Sequence, residues 1–213
     1  NLSPDHIGPN EHTSFEHYMA CKKKLFHMCK VGIFNRDDRH YMDMVDGVTC
    51  QIQTYSICNK SDLQASQIEL SQGQGTLGVT FQTQCLLNGT FETDIPGQFS
   101  VYNSLVAMMI CKLLNIQTAY IQTALKQVRV KGRVEIVPYS DDFTVLIDYA
   151  HNAFSFESIL ETISQYHPQR IICVYGAGGK RAKSRRYEVG QVVAKMKAMS
   201  ILTADNPRGE SVL

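Results

Sequence analysis

Three short apolar runs in the last third of the chain constrain its fold more than any other feature. They lie at residues 144–147, 170–175 and 200–203, and the stretch between successive runs is long enough to hold a helix. Strands that alternate with helices form a parallel sheet. A polar or glycine-rich segment follows each run, namely residues 148–151 (DYAH), 176–181 (GAGGKR) and 205–208 (DNPR). We therefore expect all three segments on one edge of a sheet, where open α/β sheets bind ligands.

The first part of the chain has another order of elements. Apolar residues between positions 15 and 29 form a helical stripe that Ser14 can cap. Farther on, two extended runs flank Asn88-Gly89, a pair that favours a two-residue hairpin turn, so this part of the sheet is predicted to be antiparallel. Two amphipathic helices follow, with Ser100 and Thr118 as N-cap candidates.

The order of elements changes after Arg133, where strands begin to alternate with helices. We place a domain boundary at this residue. The sequence thus predicts an α/β protein in which residues 1–133 form a mixed sheet with helices. Residues 134–213 are predicted to form part of a doubly wound, Rossmann-like domain.

Composition narrows the class of protein. The chain is 44% hydrophobic and 19% charged, an ordinary globular balance. Its formal charge of +1 argues against a broad surface for nucleic acid or membranes, although residues 180–186 form a local basic run. The longest apolar run, residues 105–114, contains Lys112 and is too short to cross a bilayer. Seven cysteines without a Cys-x-x-Cys pair fit reduced thiols. We expect a cytoplasmic monomer.

The chain starts at Asn1 in place of a methionine and stops soon after the DNPR segment. We interpret it as part of a longer protein.

Taken in order, the three segments after the strands resemble the carboxy-terminal domain of the Mur ligase family. The likeness is closest to the members that add a diamino acid to UDP-N-acetylmuramoyl-L-Ala-D-Glu. Residues 1–6 (NLSPDH) and 97–103 (GQFSVYN) resemble segments of the family's central ATP-binding domain. The resemblance implies that residues 1–133 are the C-terminal portion of that domain, and that residues 134–213 are the N-terminal portion of the amino-acid-binding domain.

The resemblance also implies an activity in peptidoglycan synthesis. With ATP and Mg²⁺ as cofactors, the D-glutamyl carboxylate of the UDP-muramoyl dipeptide is converted to an acyl phosphate, which the amine of the diamino acid attacks. Residues 176–179 are not the loop that grips ATP, because the glycine spacing and the Ser or Thr of a Walker A loop are missing. We expect the isolated chain to be inactive.

Lys22 is the chemical oddity of the first half, because it lies on the apolar stripe. We expect it to face the core, where burial lowers the pKa of an amine, and a neutral amine can react with carbon dioxide. Residues 18–22 resemble the family segment whose lysine is carbamylated and binds Mg²⁺, and His6 would share that ion. The alternative is an ammonium that reaches water. His12 and His17 have no such motif around them.

The resemblance assigns a nucleotide site to four residues. Asn103 would read the adenine, since an amide has both a donor and an acceptor. Asp148 would accept hydrogen bonds from the ribose hydroxyls, and Arg133 and Lys183 would face the phosphates. Residues 35–38 (NRDD) resemble a strand end of the family and also fit a plain polar turn.

A second set of residues would hold the far end of the diamino acid: Arg181, Asp205, Asn206 and Arg208. Relatives that add lysine lack the arginine, because lysine has no distal carboxylate. Arg208 therefore favours meso-diaminopimelate as the added amino acid. An Asp-Asn-Pro turn with a solvent-exposed arginine is the alternative.

Departures from the family pattern keep two rival functions open. Gln98, Ser100, Lys180 and Ala182 differ from the residues that the family has there. The rivals are another ligase of the folylpolyglutamate type and a non-catalytic binding protein derived from a ligase.

Overall fold

The computed structural model describes residues 2, 12–73, 76–137, 139–140, 142–179 and 184–211, with the side chains of residues 184 and 185 left out. The chain divides into two units. Unit 1 consists of Asn1–Glu69, Thr80–Thr93 and Gln98–Gln127. Unit 2 consists of Leu70–Val79, Asp94–Gly97 and Val128–Leu213.

Helix α1 (Phe15–Lys23) begins as the sequence predicts. The Ser14 hydroxyl accepts a hydrogen bond from the His17 amide at 3.2 Å, which satisfies one of the first helical N–H groups. A 3₁₀ helix, Lys24–His27, follows directly. Strand β1 (Val31–Asn35) and the short helix α2 (Tyr41–Val45) come next.

Five strands form the main sheet in their order along the chain. After β1 these are β2 (Gln51–Ser56), β3 (Leu63–Gly73), β4 (Thr76–Cys85) and β5 (Gly89–Thr93). Strand β2 pairs parallel with both β1 and β3. Residues 86–88 connect β4 to its neighbour β5, which confirms the predicted hairpin. The turn differs from the prediction, because Gly89 already belongs to β5. Gly89 has a positive φ of +156°, and Cys85 also has one, +78°.

Two helices cover unit 1. Helix α3 (Gln98–Leu113) begins before Ser100, so the predicted cap is a buried residue of the first turn. Helix α4 is Thr118–Gln127. The fully buried side chains of this core include Leu63, Phe81, Phe91, Leu105 and Met108. Each such side chain adds about 1.5–3 kcal/mol of hydrophobic stabilisation.

Unit 2 carries the βαβ pattern that the sequence predicts. Its elements are β6 (Glu135–Val137), β7 (Val145–Ile147), α5 (Ala153–Ser164), β8 (Ile172–Tyr175), α6 (Ser184–Lys195) and β9 (Met199–Leu202). Helix α5 starts with a capping box between Asn152 and Ser155. Leu160 of α5 packs with Val189 and Val193 of α6 in a buried cluster. The mixed α/β class predicted from the sequence is confirmed.

One expectation about this unit is wrong. The sequence predicts the three strands in a single sheet, but β7 pairs antiparallel with β6, whereas β8 pairs parallel with β9. Strand β7 follows β6 closely in the sequence, so β7 finds its hydrogen-bonding partner locally. Among the described residues, therefore, the β8–β9 ladder brings together only the glycine-rich segment and the DNPR segment.

No helix in the described part of the chain is long and apolar enough to cross a membrane.

Candidate functional site

Two loops meet where strands β8 and β9 end. The amide of Thr203 donates to Tyr175 O at 3.0 Å, and the amide of Gly179 donates to Asn206 O at 3.0 Å. These two hydrogen bonds extend the pairing of the two chain segments beyond the ends of the parallel β8–β9 ladder. The glycine loop (residues 176–179) and the DNPR turn (residues 205–208) are thereby held side by side.

Two glycines of this loop are required by space. A Cβ on Gly179 would lie 1.8 Å from Pro207 O, and a Cβ on Gly176 would lie 2.4 Å from Thr203 O. Neither distance is possible for a real side chain. At Gly178 the nearest atom, Asp205 Oδ2, would be 3.8 Å away, which is an ordinary contact. The loop is therefore built to pack against the neighbouring turn.

The DNPR turn presents its side chains to solvent. Asp205, Asn206 and Arg208 are all exposed, and the Glu210 amide closes the turn on Pro207 O at 2.9 Å. Arg208 has a left-handed φ of +48°. The structure thus shows an Asp-Asn-Pro turn with a solvent-exposed arginine, as the alternative interpretation predicts. The exposed guanidinium of Arg208 can also contact a ligand.

An ion pair holds this turn to helix α6. Arg186 Nη2 lies 2.5 Å from Glu210 Oε2, and both side chains are about one-third exposed. Arg186 belongs to the local basic run at residues 180–186. Of the other cations in that run, Arg181 and Lys183 lie outside the described residues.

Asp148 and Arg133 come together at the end of the β6–β7 ladder. The Asp148 carboxylate accepts the Val134 amide at 2.8 Å on Oδ2 and the Ala150 amide at 2.7 Å on Oδ1. The Arg133 guanidinium lies over the ring of Tyr149, 4.8 Å from its centroid. Asp148 and Arg133 are both exposed. The backbone bonds fix the carboxylate, and the cation–π contact fixes the guanidinium beside it.

In unit 1, Asp37 is the most heavily bonded acid at the end of β1. Its carboxylate accepts hydrogen bonds over 2.7–3.1 Å from four residues: Ile57, Cys58, Asn59 and Tyr102. The Asn35 side chain accepts the Asp37 amide at 2.9 Å. The NRDD segment is therefore a strand end that anchors the loop after β2, and Asn103 lies exposed on α3, directly after Tyr102.

This network shifts two pKa values. Partial burial acts to raise the pKa of Asp37, but the hydrogen bonds to its charged form outweigh burial and lower the pKa below the ordinary 3.8. For Tyr102 the pKa is raised, first by burial and then by its bond to the Asp37 carboxylate. Both groups therefore keep their charge states across the physiological pH range.

The expectation that Lys22 faces the core is wrong. No residue of α1 is buried, and the Lys22 side chain is exposed. Its ammonium lies over the ring of Tyr18, 4.9 Å from the centroid. A cation at a surface is stabilised both by water and by the ring face, and an inward orientation of the Lys22 side chain would remove the contact with water. His6, its predicted partner in a metal site, lies outside the described residues.

Sequence comparison places these features in a known family. The profile of the Mur ligase middle domain matches residues 1–111. The profile described as the Mur ligase, glutamate ligase domain matches residues 132–212. The chain belongs to the Mur ligase family. The predicted fold, a portion of the middle domain followed by part of the C-terminal domain, is confirmed for this Mur ligase.

Individual relatives agree with this assignment. A UDP-N-acetylmuramoyl-L-alanyl-D-glutamate--2,6-diaminopimelate ligase of Caldanaerobacter subterraneus subsp. tengcongensis is 39% identical over 213 residues, covering 99% of this chain and 43% of that protein. A UDP-N-acetylmuramoyl-L-alanyl-D-glutamate--L-lysine ligase of Streptococcus pyogenes serotype M4 is 31% identical over 211 residues, covering 99% of this chain and 42% of that protein. The chain thus spans less than half the length of these relatives.

A solved structure gives the same result. The structure of a UDP-N-acetylmuramoyl-L-alanyl-D-glutamate--2,6-diaminopimelate ligase is 25% identical and matches with a TM-score of 0.65, covering 99% of this chain and 44% of that one.

Sequence reasoning missed two supports of this Mur ligase site. Tyr102 bonds Asp37 from 65 positions away, and Arg186 pairs with Glu210 from 24 positions away. A charged residue next to a strand end or a turn indicates that such a bond can form. The sequence does not indicate which partner it bonds, because the partner is distant in the chain.

The glycine loop gives a test that needs no ligand. Gly179→Ala should destabilise unit 2 by about 1–3 kcal/mol, because the added methyl overlaps the Pro207 carbonyl and forces the two loops apart. Gly178→Ala is the matched control, since its methyl meets nothing closer than 3.8 Å. Urea unfolding followed by circular dichroism measures the difference. Equal midpoints for the two variants would contradict the close packing.

Asp37 gives a pH prediction for unit 1. Because its pKa is lowered on folding, its contribution to stability is full above 3.8 and is lost as the pH falls through the folded value. Asp37→Asn should lower stability at neutral pH by about 1–2 kcal/mol, since the new amide faces donors.

The Asp37→Asn substitution should also flatten the decline of stability as the pH falls from neutral to below 3.8. Urea midpoints across this range, with Asp46→Asn as the control at an exposed position, measure it. If the Asp37 variant and the wild type lose stability in parallel on acidification, the carboxylate does not anchor the loop.

Proposed function

We propose that this chain is part of an ATP-dependent ligase that joins meso-diaminopimelate to UDP-N-acetylmuramoyl-L-Ala-D-Glu. The observation that carries the proposal is the DNPR turn, which the Gly179 amide locks against the glycine loop by its bond to Asn206 O. This arrangement displays three polar side chains at the end of β9 in one rigid turn. Such a turn suits recognition of the polar end of an amino acid.

Arg208 favours diaminopimelate over lysine, the two substrates named in the relatives. One curated relative is named for 2,6-diaminopimelate and another for L-lysine. Lysine has no second carboxylate, whereas diaminopimelate has one at its far end. An exposed guanidinium can form a bidentate pair with that carboxylate. We assign Arg208 this role, with Asp205 and Asn206 on the adjoining ammonium and carboxylate groups, and Arg181 as a further cation.

The described residues of unit 2 fit a nucleotide. An ionised carboxylate accepts about four hydrogen bonds, and backbone amides use two sites of Asp148. The remaining sites suit a pair of ribose hydroxyls. Arg133, held on Tyr149, supplies a cation for phosphate nearby. We assign ATP to Asp148 and Arg133, with Lys183 as a second cation, and we assign adenine recognition to Asn103 of unit 1.

Magnesium fits Lys22 only after a chemical change. An ammonium repels a cation, whereas a carbamate offers oxygen atoms, which Mg²⁺ prefers. Since Lys22 is exposed, its surroundings do not promote that reaction, and the assignment of Lys22 and His6 to a Mg²⁺ ion rests on the family relationship.

When bound, ATP would supply the phosphoryl group that turns the D-glutamyl carboxylate into an acyl phosphate, with ADP as the other product, and Mg²⁺ would neutralise charge on the phosphates. The amine of the diamino acid then attacks the acyl carbon, and phosphate leaves. Arg208 and Asn206 hold the far end of that amino acid, so that its reacting amine is directed away from the DNPR turn.

The remaining assignments follow the same proposal. We place the domain boundary at Arg133, with residues 1–133 in the middle domain and 134–213 in the amino-acid-binding domain. The substrates are cytoplasmic small molecules, and with a formal charge of +1 the chain has no general attraction for nucleic acid or membranes. We propose a cytoplasmic monomer.

Arg208→Ala in the complete enzyme tests the substrate. Loss of one charge-assisted pair should raise the apparent constant for diaminopimelate by about one to two decades. The constants for ATP and for lysine should change little, because neither uses the distal pair. Phosphate release measured against each of the three compounds gives these values.

Arg170→Ala, which removes another exposed arginine of unit 2, is the control and should leave all three constants unchanged. An unchanged preference for diaminopimelate over lysine in the Arg208 variant would contradict the assignment.

Carbamylation of Lys22 is tested by mass. In bicarbonate buffer, native mass spectrometry of the complete enzyme should show the added mass of one CO₂, which Lys22→Arg removes and Lys24→Arg retains. Lys24 is the matched control because it is also exposed and directly follows α1. An adduct that survives in the Lys22 variant, or none in the wild type, would rule out the carbamate.

A further inference from the structure

Three potential metal ligands converge at the start of helix α1. One ring nitrogen each from His12 and His17 and the Cys21 sulfur all lie within 4.8 Å of one another. His17 and Cys21 are four positions apart on the helix, so their side chains share one face. His12 precedes the N-cap residue Ser14 and is brought back to that face.

The imidazole of His12 is held by ring contacts. Its centroid lies 5.1 Å from that of His17, with the two rings almost perpendicular at 81°. It also lies 5.2 Å from the ring of Tyr18 in an edge arrangement. The residue therefore packs on the first turn of α1, and its position next to His17 does not depend on a bound ion.

Thr13 holds the second imidazole. Its backbone amide donates to His17 Nδ1 at 3.3 Å, and its hydroxyl lies 3.2 Å from the same nitrogen. Because a backbone N–H can only donate, Nδ1 is an acceptor here and has a lone pair. The two contacts fix the ring beside His12, and an ion bound at Nδ1 would take the place of the amide bond.

We propose that His12, His17 and Cys21 form a three-ligand site for Zn²⁺. Zinc takes imidazole nitrogen at about 2.0–2.1 Å and thiolate sulfur at about 2.3 Å in a tetrahedral arrangement. Ligand atoms within 4.8 Å of one another reach that geometry by small side-chain rotations. Since His17 is exposed and Cys21 half-buried, the fourth position is open to water.

This site differs in chemistry from the magnesium site proposed for Lys22 and His6. Nitrogen and sulfur donors select zinc and its neighbours, whereas Mg²⁺ requires oxygen. Lys22 follows Cys21 directly, and adjacent helical residues do not share a face. Its ammonium lies over the Tyr18 ring, 4.9 Å from the centroid.

Metal titration of the 213-residue chain, stripped of metal and kept in a non-chelating reductant, tests the site. Calorimetry should show one Zn²⁺ bound per chain, and an excess of Mg²⁺ of about 1000-fold should not displace it. Co²⁺ used as a probe should give the near-ultraviolet absorption of a thiolate ligand. His17→Asn and Cys21→Ala should each weaken Zn²⁺ binding by about 100-fold or more, since even indirect supports of a metal site contribute about 10–100-fold.

Two controls match these variants. His27→Asn removes an exposed histidine just after α1, and Cys111→Ala removes a half-buried cysteine of α3. Both should bind Zn²⁺ as the wild type does, and circular dichroism should show all four variants folded. The proposal is overturned if Mg²⁺ competes on equal terms, if the Co²⁺ complex lacks the thiolate band, or if His17→Asn and Cys21→Ala bind Zn²⁺ as tightly as the controls.

Discussion

The close approach of two loops at the end of the β8–β9 ladder is the constraint on which the site of unit 2 depends. Gly179 N–H donates to Asn206 O at 3.0 Å, and no side chain fits at Gly176 or at Gly179. Because backbone packs on backbone, the exposed groups of the DNPR turn are positioned by the sheet itself. The Arg186–Glu210 ion pair then ties the same turn to α6. If the recognition residues lay on a mobile loop, ordering that loop on binding would cost free energy and lower the affinity. A turn that is already fixed avoids this cost.

Carboxylates perform the corresponding task at two other strand ends. Asp37 gathers the amides of the loop after β2, and Asp148 joins the start of β6 to the end of β7. In both places a charged acceptor satisfies backbone donors that the sheet leaves unpaired. Asp148 retains acceptor sites on its exposed side, so one residue can support the fold and also face a nucleotide. Asp37, half-buried and fully occupied, supports the fold.

Helix α1 shows that an apolar stripe in the sequence does not by itself determine which side chains are buried. Its stripe of Phe15, Tyr18 and Met19 has the spacing of a core helix, yet these residues are only half-buried. The stripe indicates which residues share a face, and His17 and Cys21 do share one. It does not indicate what covers that face, because burial depends on elements distant in sequence. The inward placement of Lys22 is therefore wrong, although the predicted helix and its Ser14 cap are confirmed.

The sequence by itself determined the local elements and the family. Apolar runs of strand length, the Ser14 cap, and the order of the glycine and DNPR segments are encoded by neighbouring residues, since they depend on propensity and periodicity. Only the tertiary structure decided that Tyr102 bonds Asp37, and that Gly179 must be glycine because Pro207 lies against it. The physical reason is that such partners are chosen by distance in space, and residues far apart in the chain meet only after the whole sheet has formed.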